Sequence, residues 1–245
     1  MNTQTLSASN DPMGTAIHDF MAYGKAEQLC VHSSMFEDDE MPVKHLFRSV
    51  NEMPTLEQKA LQLSRGRILD VGAGAGCHTL ALQERGFNVK AIDISPLCCK
   101  TMKERGVKNT ECINLFDTHL QGTFDTILLL MNGTGIAGKL GKLPMLLYRL
   151  KELMSDDGQV LIDSSDIKYA YENDNGTIDI DLNSHYYGEV DYQMTYKDIK
   201  GIPFDWLYVD PTLLIAVCKQ CGMECHIVER GSHYDYLAKI TKDND

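Results

Sequence analysis

The chain has 245 residues, 43% of them hydrophobic and 24% charged, which suits one large domain with its own core and excludes disordered and fibrous classes. A formal net charge of −12 argues against a protein built to grip duplex nucleic acid, which displaces counterions with a basic face. The first thirty residues lack the basic start and apolar run of a secretory signal, and no stretch approaches eighteen uninterrupted apolar residues. A cytoplasmic chain without a membrane partner is therefore expected, and its eight cysteines read as reduced thiols.

Residues 1–66 are expected to form a mostly helical cap or extension, with EMPTLEQKALQLS its clearest amphipathic piece and the acidic run FEDDE at 36–40 a solvated loop. The main domain should occupy 67–245. RILDVG reads as a first strand, CHTLALQERG as a helix closed by Gly86, and FNVKAID as a second strand. Ser95 and Pro96 form a helix start, with serine as N-cap and proline in the first turn, and Gly106 ends that helix. NTECIN is a third strand, and the apolar run FDTILLLM is a fourth, buried on both faces and so central. LPMLLYRLKELM has helical spacing, and SDDG breaks it before a fifth strand, QVLIDSS.

Residues 167–210 then interrupt the repeat with the strand-like pieces TIDIDLN, YYGEVDYQMTYK and PFDWLYVD, an insertion too long for an ordinary connection. Asp210 and Pro211 start a helix running to about Cys221, and Gly222 ends it. MECHIVERG and HYDYLAKI form a closing antiparallel hairpin, turning at Gly231 and Ser232.

The stretch ILDVGAGAG places Gly72, Gly74 and Gly76 between the first strand and the first helix, where a ligand can touch bare backbone. The spacing is G-x-G-x-G. A dinucleotide loop, G-x-G-x-x-G, needs its third glycine or alanine where Cys77 stands. Charge discriminates independently: Asp70, just before the loop, would oppose a pyrophosphate but attracts a sulfonium and an ammonium. Asp93, closing the second strand, is placed to accept both hydroxyls of a ribose.

With ILDVGAGAG, AIDIS, CINLFD, FDTILLLMNG and SDDGQVLID in this order, the chain resembles the class I S-adenosylmethionine-dependent methyltransferases over roughly residues 66–166. The resemblance implies a Rossmann-like α/β fold with helices on both faces of a seven-stranded sheet. Its strands would run 3-2-1-4-5-7-6, all parallel except the seventh. It implies S-adenosyl-L-methionine as cofactor, with Gly72, Ala73, Gly74 and Gly76 facing its methionine and ribose, Asp93 on the ribose and Ile94 on adenine. Asn114 and Leu115 then stand where the family commonly has an acidic residue for the adenine amino group, and an asparagine oxygen can accept that bond. Met131 and Asn132 follow the fourth strand, and the sequence there, MNGT, lacks the Asn-Pro-Pro-aromatic turn of enzymes that methylate nucleobase amino groups.

Methyl transfer from a sulfonium is an in-line displacement that rests on alignment and dryness, so no fixed catalytic motif is required. His78, beside the glycine loop, is a candidate for contact with substrate, set against a polar position in a first helical turn. His185, Tyr186, Tyr187, Glu189 and Asp191 form the acceptor-site pool, against the plainer reading of a half-exposed strand. Arg48 is weighed as a ligand for the cofactor carboxylate against a surface role. Cys218, Cys221, Cys225 and His226 have zinc-like spacing, but strand alternation keeps them from converging, so they read as structural thiols and no metal is expected. Adjacent Cys98 and Cys99 read as packing residues. The function expected is methyl transfer to a small-molecule acceptor. The alternatives are transfer to protein or RNA, or a module that binds the cofactor or its demethylated product without chemistry.

Overall fold

The computed structural model describes residues 4–173, 177–178 and 185–243. In chain order its elements begin with α1 (Pro12–Tyr23), β1 (Leu29–His32), β2 (Asp39–Glu40) and α2 (Thr55–Leu63). Then come β3 (Arg67–Val71), α3 (Cys77–Glu84), β4 (Asn88–Asp93), α4 (Pro96–Glu104), β5 (Thr110–Cys112) and β6 (Phe124–Leu129). The chain continues through α5 (Leu143–Leu153), β7 (Met154–Ser165), β8 (Glu189–Tyr196), β9 (Ile199–Lys200) and β10 (Phe204–Leu207). It closes with α6 (Pro211–Gln220), β11 (Met223–Arg230) and β12 (Asp235–Lys242).

Seven strands form one sheet in the order β11-β12-β7-β6-β3-β4-β5, which is the expected 3-2-1-4-5-7-6. Only β12 runs against its neighbours, pairing antiparallel with both β7 and β11. Burial explains the central position of β6: Thr126, Ile127, Leu128 and Leu129 are all buried, as a strand covered on both faces requires. On one face pack α5 and α6, where Leu143, Leu146, Leu147, Leu150 and Leu153 make the apolar stripe of α5. Each such leucine contributes about 1.5–3 kcal/mol by burial. On the other, α2 and α3 bury Leu56, Leu61 and Leu82 against Ile68, Leu128 and Leu161.

Capping follows local chemistry. Ser95 accepts the N–H of Cys98 at the start of α4, and Asp210 accepts that of Leu213 at the start of α6, each followed by proline. One boundary differs from expectation. SDDG does not separate α5 from the fifth strand; β7 already begins at Met154, and Phe124 pairs with Met154 ahead of a register irregularity.

A second sheet has the order β10-β8-β1-β2, with β9 on β8. It joins two segments far apart in sequence: Leu29, Cys30, Val31 and His32 pair antiparallel with Tyr196, Thr195, Met194 and Gln193. The N-terminal region is therefore not helical throughout, and it builds one cap together with the insertion. The FEDDE run supplies the exposed β2, and Asp38 within it pairs with His32. The cap meets the main sheet through α1, which packs on α4 and β8. An apolar cluster there joins Ile17, Leu29 and Tyr196 to Ala75 of the glycine loop and Met131 beyond β6. Of TIDIDLN, all but Thr177 and Ile178 lies outside the described residues.

Candidate functional site

The glycine loop follows β3 and leads into α3. Gly72 and Gly74 have φ of 70° and 55°, and a side chain at either would meet open space, so both present bare backbone outward. Such a cradle fits a ligand that must touch the main chain. Gly76 differs from expectation: its φ is also positive, but a Cβ there would press on Met102 and Val107, so its open side faces inward and serves helix packing. The Ala73 methyl is likewise buried, in a small cluster with Met102 and Val107.

Asp93 ends β4 beside this cradle. Its Oδ2 accepts the N–H of Gly74 at 2.8 Å and its Oδ1 that of Ser95 at 2.8 Å. Burial raises its pKa to about 6, against the lowering effect of those bonds. Ile94 is 38% exposed, as an apolar surface offered to a flat ring would be. Asn114 Oδ1 accepts the N–H of Phe116 at 3.0 Å, which leaves one lone pair for a donor, while the Leu115 side chain is buried in the main core. The N-terminal segment crosses this edge. Leu6 donates its N–H to the Ile94 carbonyl at 2.8 Å, the Asn114 amide donates to the Gln4 carbonyl, and Ser95 donates its hydroxyl to the buried Asp11.

Beneath the loop lies a buried charge network. Asp70 is only 2% exposed and accepts the Thr79 hydroxyl at 2.5 Å, so its carboxyl is turned into the interior toward α3 and presents no oxygen at the surface. Burial pushes its carboxyl up from the ordinary value. His78, 5% exposed, holds Oε2 of Glu57 through Nε2 at 2.7 Å. Burial by itself would lower the imidazole pKa, but Cys77 and Glu57 outweigh it and hold it at about 10. Arg48 is buried rather than on the surface. Its buried guanidinium donates to the same Glu57 oxygen on α2, through Nε at 3.1 Å and also through Nη2.

Beyond β6, Met131 and Asn132 both adopt left-handed φ, 67° and 63°. The carboxylate of Asp163, from β7, receives the N–H of Met131 at 3.1 Å and of Gly133 at 2.9 Å. Asn132 donates through Nδ2 to the Leu207 carbonyl at 3.3 Å and accepts from Ser164 Oγ at 3.2 Å. Sequence reasoning passed over Asp163 and Ser164; the available signal was an acid closing an otherwise apolar central strand.

The insertion sorts its candidates by strand alternation. Glu189 and Asp191 lie on one face of β8, where Glu189 accepts the N–H of Leu140 and Asp191 accepts both the N–H and the hydroxyl of Ser34. Val190, Tyr192, Met194 and Tyr196 share the other face, with Val190 and Tyr196 buried and Met194 packed in the cluster that holds Ala75 and Met131. Tyr186 donates to Asp210 at 2.9 Å and Tyr187 to Asp166 at 2.8 Å; burial drives both phenols well above their ordinary pKa. His185 is exposed. Trp206 lies flat against Gly135, where any Cβ would collide with the indole.

Cys218, Cys221 and Cys225 are buried, whereas His226 is exposed and pairs with Glu224. No group of three His, Cys, Asp or Glu side chains fit to hold a metal occurs among the described residues, nor is any helix there long and apolar enough to cross a membrane.

The sheet order and the strand–loop–helix cradle at its carboxyl edge define the fold that comparison with known proteins finds. The model of a family described as "Methyltransferase domain" matches residues 43–195. No curated protein matches. A solved S-adenosylmethionine-dependent methyltransferase from Bacteroides fragilis, in complex with S-adenosyl-L-homocysteine, is 52% identical with a TM-score of 0.93, covering 99% of each chain. Two more distant structures share the fold. The sugar N-methyltransferase KedS8 from Streptoalloteichus has 16% identity and a TM-score of 0.56 over 86% of this chain and 97% of its own. CalS10, an amino pentose methyltransferase from Micromonospora echinaspora, has 14% identity and a TM-score of 0.54 over 84% and 99%. The chain belongs to the S-adenosylmethionine-dependent methyltransferases, and S-adenosyl-L-methionine is its cofactor.

Proposed function

We propose that this methyltransferase acts on a small-molecule acceptor held between the carboxyl ends of β3, β4 and β6 and the strand-built cap. The observation that carries the reading is the cap itself. Two distant segments pair across Leu29–His32 and Gln193–Tyr196, and the inner face of that sheet packs against Ala75 and Met131. A roof built on the reaction side of the sheet encloses a small acceptor and keeps water out. The chain's net charge of −12 likewise offers little to a nucleic-acid substrate.

On this reading Gly72 and Gly74 give backbone to the cofactor, Asp93 accepts its ribose hydroxyls, Ile94 packs on adenine and Asn114 accepts from the adenine amino group. The cofactor supplies an electrophilic methyl on sulfur, displaced in line. Asp70 favours the cationic end from below the loop. His78, held as a cation against Glu57, is not the base at neutral pH. Glu189 and Asp191 brace loops from the outer face of β8. The cap's inner face, with Tyr192, Met194 and Trp206, supplies the walls against which the acceptor is aligned.

Incubating the protein with methyl-labelled S-adenosylmethionine and a fractionated cell extract tests this. Label should appear in the low-mass fraction. Label confined to protein or RNA would replace the small-molecule reading, and tight binding of S-adenosylhomocysteine without transfer to any fraction would make the chain a binding module.

A further inference from the structure

The turn after β6 places two consecutive non-glycine residues, Met131 and Asn132, in the left-handed region. Asparagine tolerates that region; methionine does so rarely, and such conformations persist only where the surroundings impose them. Here the imposing group is identifiable. Asp163 presents its two carboxylate oxygens to the turn, Oδ2 to the N–H of Met131 and Oδ1 to that of Gly133. The next residue along β7, Ser164, holds the Asn132 side chain, and Asn132 in turn reaches the Leu207 carbonyl at the end of β10. Gly133 is required as glycine, because a Cβ there would fall 2.5 Å from that of Leu129. The turn is thus fixed from β7 and from the cap at once, and Met131 packs in the cluster that contains Ala75 of the glycine loop.

We propose that Asp163 is a positioning residue for the cofactor. By clamping the main-chain N–H groups of Met131 and Gly133 it holds the left-handed turn against the glycine loop, so that the wall of the cofactor site is formed before the cofactor arrives. This rests on the reading that the cofactor lies across the carboxyl ends of β3, β4 and β6. A carboxylate suits the task because it offers acceptors on both oxygens and no donor. Asparagine, of the same shape, would turn an amide NH2 toward one of the two N–H groups.

The test is calorimetric titration with S-adenosylhomocysteine of the wild type, Asp163→Ala, Asp163→Asn, Met131→Gly and Asp163→Ala/Met131→Gly, with circular dichroism as the control for folding. Asp163→Ala loses both charge-assisted bonds, and Asp163→Asn loses one of them together with the charge on the other, so binding should weaken by roughly tenfold or more in both single Asp163 variants. Glycine at 131 adopts the left-handed conformation without being forced, so the penalty for losing Asp163 should shrink several-fold in the Met131→Gly background. A direct contact with the cofactor would leave the penalty the same in both backgrounds, and that result overturns the proposal, as does wild-type affinity in Asp163→Ala. Should the alanine variant fail to fold, Asp163→Asn with and without Met131→Gly gives the same comparison. Absence of binding by the wild type would instead overturn the cofactor site itself, a distinguishable failure.

Discussion

The carboxylate of Asp93 fastens the glycine loop, its Oδ2 receiving the N–H of Gly74 at 2.8 Å while Oδ1 holds the N–H of Ser95. The same group is assigned the ribose hydroxyls, so it works on both sides of the cradle. Asp93→Ala should therefore weaken S-adenosylhomocysteine binding by at least about a hundredfold, the loss of two or more bonds to a charged acceptor. Calorimetry at neutral pH checks this, and an unchanged dissociation constant would refute the assignment.

A pH dependence follows. Burial raises the Asp93 pKa to about 6 in the free protein, and hydroxyl donors favour the ionised form. Asp163, also raised chiefly by burial to about 6, bonds its donors best as a carboxylate. Binding of S-adenosylhomocysteine should accordingly tighten as pH rises from about 5 to 7 and then level off. An affinity constant across that window would show that neither carboxyl ionises with binding.

The Arg48, Glu57 and His78 cluster makes a prediction about stability. Both cations bond one buried carboxylate oxygen, so Glu57→Gln leaves two buried charges poorly matched and should destabilise the fold by about 3 kcal/mol, measured by denaturant unfolding. The sign of the pH effect is set by His78, whose folded pKa of about 10 lies above the unfolded value of 6.5. Its contribution is fully present below pH 6.5 and is lost as pH rises through about 10. The stability difference between wild type and His78→Gln should narrow over that range; a constant gap would exclude a titrating imidazole.

The sheet order and the cradle were legible because each rests on local signals. Alternating strands and helices, Ser95 before Pro96, and Asp210 before Pro211 all act within a few residues of themselves. The glycine loop was legible for the same reason, with the exception of Gly76, whose inward face depends on Met102 and Val107, far along the chain. What sequence could not show is pairing at long range. Nothing in LCVH announces that it will lie beside QMTY. Arg48 looked like a surface residue because its partner Glu57 sits on another element, and Asp163 went unread because its task is to bind main-chain N–H groups that carry no sequence signature.

Asp11 is buried at the start of α1, where it accepts the N–H of Gly14 at 2.8 Å and the hydroxyl of Ser95. Through Ser95 it ties the N-terminal segment to the loop that holds Asp93 and Ile94. Asp11→Ala should weaken S-adenosylhomocysteine binding about fivefold to tenfold, with a faster release rate in stopped-flow displacement. Wild-type release kinetics would show that the N-terminal segment docks without touching cofactor binding.

Trp206 is the only tryptophan of the chain, and its ring lies on the backbone of Gly135 with no room for a methyl group: an added Cβ would stand 1.9 Å from the indole. The indole joins β10 of the cap to the turn that follows Asn132. Gly135→Ala must therefore push the ring outward and loosen the cap while leaving the glycine loop intact. Three consequences should appear together. Intrinsic fluorescence should shift to the red as the indole meets water, affinity for S-adenosylhomocysteine should change less than about threefold, and methyl transfer to the acceptor should fall by about tenfold or more as alignment is lost. A variant with unshifted emission would show that the ring is not displaced. A shifted emission with undiminished transfer would separate the cap from acceptor alignment and send the search for the acceptor site elsewhere on the carboxyl edge.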